Sequence, residues 1–169
     1  MTLVRPEHLR DATAVREVNE AAFGRAGEAD LVDRLRGTPG YLGLVATVEG
    51  RVIGHVAFSR VRLDPARPDL DLRGLAPMAV LPRHQRAGVG SALVEAGLDA
   101  CRASGVDAVV VLGHPGDYPR FGFEPSSAVG LACEYDVPPG AFMAQALRPG
   151  ALAGAHGTVR YSAPFSEVP

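Results

Sequence analysis

Apolar residues recur along this chain with two different periods, and the points where the period changes mark its elements. Thr2 to Arg5 reads as a short strand that Pro6 stops. From about His8 to Ala22, Leu9, Ala12, Val15, Val18 and Ala22 return every three or four residues. Arg10, Arg16, Glu17 and Glu20 fall mostly on the other side, so the spacing predicts an amphipathic helix. A second helix is predicted from Glu28 to Arg36, with Leu31, Val32 and Leu35 inward and Gly37 and Pro39 ending it. Leu42 to Val48 and Arg51 to Val61 read as the strands of a hairpin turned at Glu49-Gly50. Leu63 to Leu70 carries two prolines and reads as a loop. Asp71 to Val80 reads as a strand, yet Gly74 and Pro77 lie inside it, and proline cannot donate to a ladder. An interruption of the sheet is expected there.

The clearest helix runs from Gly88 to Ser104, with Val89, Ala92, Leu93, Ala96 and Ala100 as its apolar face and Gly105 as its stop. Val106 to Leu112 is almost purely apolar, the pattern of a strand covered on both faces. Strand, helix and strand at this spacing imply a right-handed crossover and a parallel pair. Turn-rich sequence then leads to Phe123, followed by weaker strands near Val129 to Ala132, Phe142 to Leu147 and Val159 to Ser162.

Length and composition narrow the picture. The 169 residues suit a single domain, 1–169, and a net charge of −2 argues against general binding to nucleic acid or membrane. No apolar run is long enough to span a bilayer, and the N-terminus lacks the features of a signal peptide, so a cytoplasmic location is expected. Cys101 and Cys133 are the two cysteines and are expected to be small buried thiols rather than a disulfide. No cluster of His, Cys or carboxylates suggests a metal.

One segment carries recognisable chemistry. Pro77 to Leu93 puts a glycine-containing turn, Gln85-Arg86-Ala87-Gly88-Val89-Gly90, between a strand and a helix. The first amides of a helix lack partners inside it and carry the positive end of its dipole, so this turn is equipped to cradle a phosphate. Arg83 and Arg86 could add charge-assisted contacts. A nucleotide P-loop needs Lys and Ser or Thr after its last glycine, where this chain has Ser91-Ala92. A dinucleotide fingerprint needs a small residue where Leu93 stands.

The six residues 85–90 fit the Gln/Arg-x-x-Gly-x-Gly/Ala loop of the GNAT superfamily of N-acetyltransferases, which the whole chain resembles in the order of its elements. The Leu112-Gly113-His114-Pro115 and Tyr118-Pro119-Arg120-Phe121-Gly122-Phe123 stretches are similar to a bacterial, YhbS-like subgroup. The resemblance implies a mixed, mostly antiparallel α/β sheet with flanking helices, splayed between the Asp71 to Val80 and Val106 to Leu112 strands. It implies acetyl-CoA as co-substrate and a primary amine, on a small molecule or a protein, as acceptor. The pantetheine arm would pair with the backbone of Met78, Ala79 and Val80, and the amides of Arg86, Ala87, Gly88, Val89, Gly90 and Ser91 would hold the pyrophosphate behind Gln85. Tyr118 stands where the family places its general acid, although Pro115, Gly116 and Pro119 replace a regular helix there. His114 is a candidate base, and a turn-bonding histidine is the alternative. Glu28 opens the second helix, on the acceptor side in the family; a first-turn carboxylate on the helix dipole is the alternative. His55, on the hairpin strand, is a candidate core or sheet-face residue. The resemblance also allows a homodimer, a different acyl donor, or a catalytically silent module that binds acyl-CoA as a sensor.

Overall fold

The computed structural model describes residues 1–168. In chain order its regular elements are β1 (Thr2–Pro6), α1 (Ala12–Phe23), α2 (Gly27–Arg36), β2 (Leu42–Val48), β3 (Arg51–Asp64), β4 (Leu72–Val80), α3 (Val89–Ala103), β5 (Ala108–Leu112), β6 (Glu124–Pro125), β7 (Leu131–Cys133), β8 (Phe142–Ala146) and β9 (Gly157–Arg160). Most strand pairs are antiparallel, and β4–β5 and β7–β9 are parallel. The fold is therefore the mixed, mostly antiparallel sheet with flanking helices that was expected.

The chain packs as two compact units. One comprises Met1–Ser59, Ala76–Gly97 and the C-terminal residues from Ala163; the other comprises Arg60–Leu75 and Leu98–Ser162. In the first, β1 pairs with β2 and β2 with β3. The hairpin turn is built as its sequence requires, with Glu49 at φ 51° and Gly50 at φ 78°. Two left-handed residues match the twist of the strands they join. Helices α1 and α2 bury Val15 and Val32 against Val45, and Arg16 ties them together through Asp30 at 2.7 Å and Asp33 at 2.9 Å. The middle of α3 packs on β3 where a residue is small. A side chain on Gly97 would meet the Phe58 ring at 2.2 Å, so glycine there lets helix and strand approach closely.

In the second unit β5 is central. Leu72–Leu75 of β4 pairs with Ala108–Val111, and β8 covers the other edge of β5 from Ala108 to Leu112. The ladder between β4 and β5 ends at Leu75 while β4 itself runs on to Val80. Strand β9 pairs with the end of β3 and with β7. Buried between these layers are Leu72, Val110, Leu131, Phe142, Ala144 and Val159, among others.

Several boundaries differ from the sequence expectation. The first helix begins with a separate 3-10 turn at Leu9–Asp11, and Leu9 is 82% exposed rather than inward. Asp11 is the cause: its carboxylate accepts the His8 amide at 2.7 Å and both Arg5 guanidinium nitrogens, and a three-residue turn rotates Leu9 off the face it would share in an α-helix. The buried stripe of α3 is Val89, Leu93, Val94, Leu98 and Cys101, not the alanines at 92, 96 and 100. The alanine row lies between this stripe and the polar side formed by Ser91, Glu95, Asp99 and Arg102, so the alanines sit half-buried at the boundary of the apolar face rather than at its centre. Strand β3 extends through Asp64, because its end is held by β9. The strand expected at Asp71 begins at Leu72, and the one expected at Val106 begins at Ala108. Val129 belongs to a 3-10 turn, with β7 starting at Leu131, and the last strand is Gly157–Arg160.

Candidate active site

At the end of β4 the backbone is committed on one side only. The Leu81 amide donates to the Ile53 carbonyl at 2.8 Å, which turns the odd-numbered backbone groups toward β3. Strand residues alternate, so the N–H and C=O groups of Met78 and Val80 face away from β3. Ala79 is buried, while Met78 and Val80 are half-buried. One of those outward groups has a partner: Gln85 reaches back and donates its side-chain amide to the Val80 carbonyl at 2.9 Å. Gln85 thereby pins the loop to the strand that precedes it.

Beyond Gln85 the loop turns with Arg86 at φ 62° and Gly88 at φ 86°. A side chain on Gly88 would meet nothing within 4 Å, so glycine is required by the backbone angle and the space above it is open. The first α-helical bond in α3 is Ala92 N–H to Gly88 C=O at 3.0 Å. The amides of Val89 and Gly90 therefore have no acceptor inside the helix and lie at its positive end. Arg86 and Ala87 are exposed beside them, and Gly90 lies against the Met78 thioether. Arg83 and His84, just before the loop, line a groove of about 760 Å³ together with Arg10 and Glu17 of the first helical segment and Arg51 of the hairpin. Cradling an anion is what such a helix terminus does well.

In the second unit, residues 113–123 form two tight turns. Gly113 donates to the Ala141 carbonyl at 2.9 Å. The Tyr118 ring lies flat against Gly113, where any side chain would come within 2.3 Å of the ring. Its other contacts are Phe123, edge-on at 5.8 Å, and Phe121 at 6.2 Å. Tyr118 precedes a 3-10 turn, Pro119–Phe121, in place of a regular helix. Its hydroxyl makes no hydrogen bond among the described residues. Burial, helped by the charge of Asp117, pushes its pKa up, so the group is kept protonated. His114 is exposed and uses Nδ1 to accept the Gly116 amide at 3.0 Å. The neutral ring then carries its proton on Nε2, and its lone pair is already engaged.

Two further groups are occupied structurally. Glu28 is buried and ion-paired with Arg25 at 2.6 Å. His55 is fully buried, and it belongs to a network that sequence reasoning missed. Its Nε2 lies 2.9 Å from Glu7 Oε1; Tyr41 donates its hydroxyl to that same oxygen at 2.6 Å, and Arg36 donates to Oε2 at 2.8 Å. Burial pushes the Glu7 carboxyl up, but the hydrogen bonds from His55, Tyr41 and Arg36 outweigh it and hold the pKa at about 2. The partners come from positions 7, 36, 41 and 55, so no local spacing announces them. Burial pushes the Cys101 thiol up to about 12, which leaves it inert. Cys133 is half-buried, and the two cysteines are not bonded. Among the described residues no group of three or more His, Cys, Asp or Glu is placed to hold a metal, and no helix is long and apolar enough to cross a membrane.

The profile of the acetyltransferase (GNAT) family matches residues 12–123, which include both the loop at 85–90 and Tyr118. The uncharacterized N-acetyltransferase YhbS of Escherichia coli is 41% identical over 167 residues, 97% of this chain and 98% of the relative. This chain belongs to the GNAT family. A second Escherichia coli relative, the uncharacterized N-acetyltransferase YjhQ, is 39% identical over 132 residues, 76% of this chain and 73% of its own length. Two GNAT crystal structures share the fold over nearly the full length. YhbS in complex with CoA aligns with a TM-score of 0.90 at 39% identity, covering 98% of this chain and 92% of its own. A GNAT acetyltransferase of Brucella melitensis in complex with acetyl-CoA aligns with a TM-score of 0.80 at 34% identity, covering 98% of each. The family profile stops at Phe123, so the likeness beyond it rests on these full-length relatives.

Proposed function

We propose that residues 1–169 act as one acetyl-CoA-dependent N-acetyltransferase domain that moves the acetyl group directly onto a primary amine. The observation that carries this reading is the end of β4: outward backbone groups on Met78 and Val80, followed at once by an open helix terminus. An elongated ligand with an amide-rich arm and a pyrophosphate suits that sequence of groups. The amides of Arg86, Ala87, Gly88, Val89, Gly90 and Ser91 would take the pyrophosphate, as in the expected motif. Met78 and the Val80 amide would take the arm, with Ala79 holding the strand against β3. Gln85 acts by fixing the Val80 carbonyl rather than by touching the ligand, since that carbonyl is its partner. CoA and acetyl-CoA in the two full-length structural relatives support the choice of ligand.

Acetyl-CoA supplies an activated acetyl thioester. The amine nitrogen bonds to the acetyl carbon, the carbon–sulfur bond breaks, and the thiolate needs a proton while the new amide loses one. Tyr118 is assigned the first of these protons: its hydroxyl is uncommitted, and burial keeps it protonated. His114 could take the second only after its Nδ1 releases the Gly116 amide, so water is the better acceptor of that proton in this arrangement. A backbone amide at Met78 or Val80 would polarise the thioester carbonyl.

The test is calorimetric titration with acetyl-CoA followed by thiol release with and without amines. Binding by the native chain and its loss in Gly88→Glu support the loop assignment. Binding with no thiol release from any amine points instead to a silent acyl-CoA sensor. The chain contains no lysine, so protein acetylation in such an assay reports the acceptor, apart from the single N-terminal amine.

A further inference from the structure

We propose that the acceptor is a diamine, or an amine with a second cationic group, whose distal charge is held by Asp136 and whose apolar stem lies on Tyr135. The inference rests on the acetyltransfer reading and names the substrate class for it.

A groove of about 330 Å³ in the second unit carries the argument. Its polar lining includes Ser126, Cys133, Tyr135 and Asp136, and its apolar lining includes Pro138 and Phe142. The chain has 17 basic residues, all arginine, yet none lines this groove. Asp136 is exposed and has no ion pair or hydrogen bond among the described residues, so its charge is uncommitted. Glu134, its near neighbour, is engaged with the Tyr161 amide at 3.1 Å and with Arg160. Tyr135 is one of few large apolar side chains left exposed, at 39%. Its ring is held from below by Tyr161, with centroids 5.7 Å apart, and the Tyr161 ring in turn lies over Gly74. A fixed aromatic face beside an unpaired carboxylate, with no competing cation, is an environment that attracts ammonium groups.

Position supports the assignment. Gly74 is one residue before the β4–β5 ladder ends, so the Tyr135–Tyr161 pair lies at that end. On its other flank the groove meets the turn that carries Tyr118. The Pro115 ring comes within 3.7 Å of where a side chain on Gly140 would lie, and Gly113 bonds Ala141 at 2.9 Å. The groove therefore reaches the ladder end through Tyr135 and Tyr161 and borders the turn that carries Tyr118.

The charge of Asp136 decides between one ammonium and two. A carboxylate beside the reacting amine would favour its protonated form and oppose attack. Asp136 is therefore assigned to a cation that does not react. The acceptor must then carry a second positive group, separated from the first by an apolar stem that matches Tyr135, Pro138 and Phe142.

The experiment compares thiol release with two probes, a linear aliphatic diamine and the monoamine of the same chain length, in the native chain, Asp136→Asn, Asp136→Glu and Tyr135→Ala. The diamine is expected to show the lower KM. Asp136→Asn should raise its KM about fivefold, the weight of one partly exposed ion pair. The monoamine KM, kcat and acetyl-CoA affinity should stay unchanged, and Asp136→Glu should keep the preference. Tyr135→Ala should raise KM for both amines. An Asp136→Asn variant that shifts both amines equally, or neither, overturns the proposal. So does the absence of turnover with both probes while acetyl-CoA still binds, which leaves the cofactor reading intact. Failure of acetyl-CoA to bind the native chain removes the underlying reading itself.

Discussion

The loop after β4 and the turns at residues 113–123 are built on opposite principles. The loop works through backbone: its groups are the outward amides of Met78 and Val80 and the first amides of α3, and side chains serve mainly to shape it. The turns work through one side chain, Tyr118, whose ring is seated by Gly113, Phe121 and Phe123. A backbone site depends on conformation, so it tolerates many substitutions and fails when a φ angle is denied. A side-chain site depends on one functional group, so it fails chemically while its surroundings stay intact. Binding should follow the first region and turnover the second.

The largest expected effect separates the two. Tyr118→Phe removes the hydroxyl and keeps the ring that Gly113 and Phe123 hold. Thiol release should fall by about 10²-fold or more, the usual weight of a positioned acid, while the calorimetric affinity for acetyl-CoA stays within about twofold of native. Turnover that survives in Tyr118→Phe would assign the proton to another group and end the side-chain half of the comparison.

The next effect runs the other way. Gly88→Glu places a side chain at φ 86° and a carboxylate at a positive helix end. Acetyl-CoA affinity should fall by about 10- to 100-fold through strain and charge together. The cleanest reading comes at saturating acetyl-CoA, where residual kcat should be close to native. A variant that binds normally would show that the pyrophosphate does not sit on this terminus.

A third perturbation acts on the scaffold and guards against mistaking unfolding for either effect. The folded-state pKa of Glu7, about 2, lies below its ordinary 4.5. A depressed carboxylate stabilises the fold above its unfolded pKa and loses that contribution as pH falls through the folded value. The gap corresponds to about 3 kcal/mol, present above about pH 4.5 and lost toward pH 2. Urea denaturation across that window should show the decline, and Glu7→Gln should be less stable at neutral pH, with a flatter profile. An unchanged slope in Glu7→Gln would mean the His55–Tyr41–Arg36 network does not hold the carboxylate.

What could be read from the sequence follows the same division. The loop at 85–90 was legible because its meaning lies in consecutive residues between a strand and a helix. The Glu49-Gly50 turn was legible because only left-handed residues fit a two-residue hairpin. The Tyr118 position was legible only through family resemblance; that Gly113 seats its ring depends on a packed turn no periodicity describes. Glu7 lies 29 to 48 positions from the partners that bond it, and Tyr135 lies 26 from Tyr161, so tertiary packing rather than a motif brings these groups together. The buried face of α3 departs from the expected one because the alanines at 92, 96 and 100 border its polar side, while Val89 and Leu93 pack at Gly54 and Gly97 lies against Phe58.

The smallest effect sharpens the backbone half of the comparison. Gly88 and Gly90 both belong to the motif, yet they differ in what they need. Gly88 has a left-handed backbone; Gly90 does not, and a methyl group there would lie 3.6 Å from the Met78 Cε, an ordinary contact. Gly90→Ala should therefore leave acetyl-CoA affinity within about threefold and raise stability by about 0.5 kcal/mol through helix propensity. Thermal unfolding beside calorimetry on the same variant checks both halves. A large loss of affinity from a single methyl at Gly90 would mean the ligand's backbone approach is closer there than at Gly88. The second glycine of the motif would then be fixed by the ligand, while the first is fixed by the chain's own φ angle.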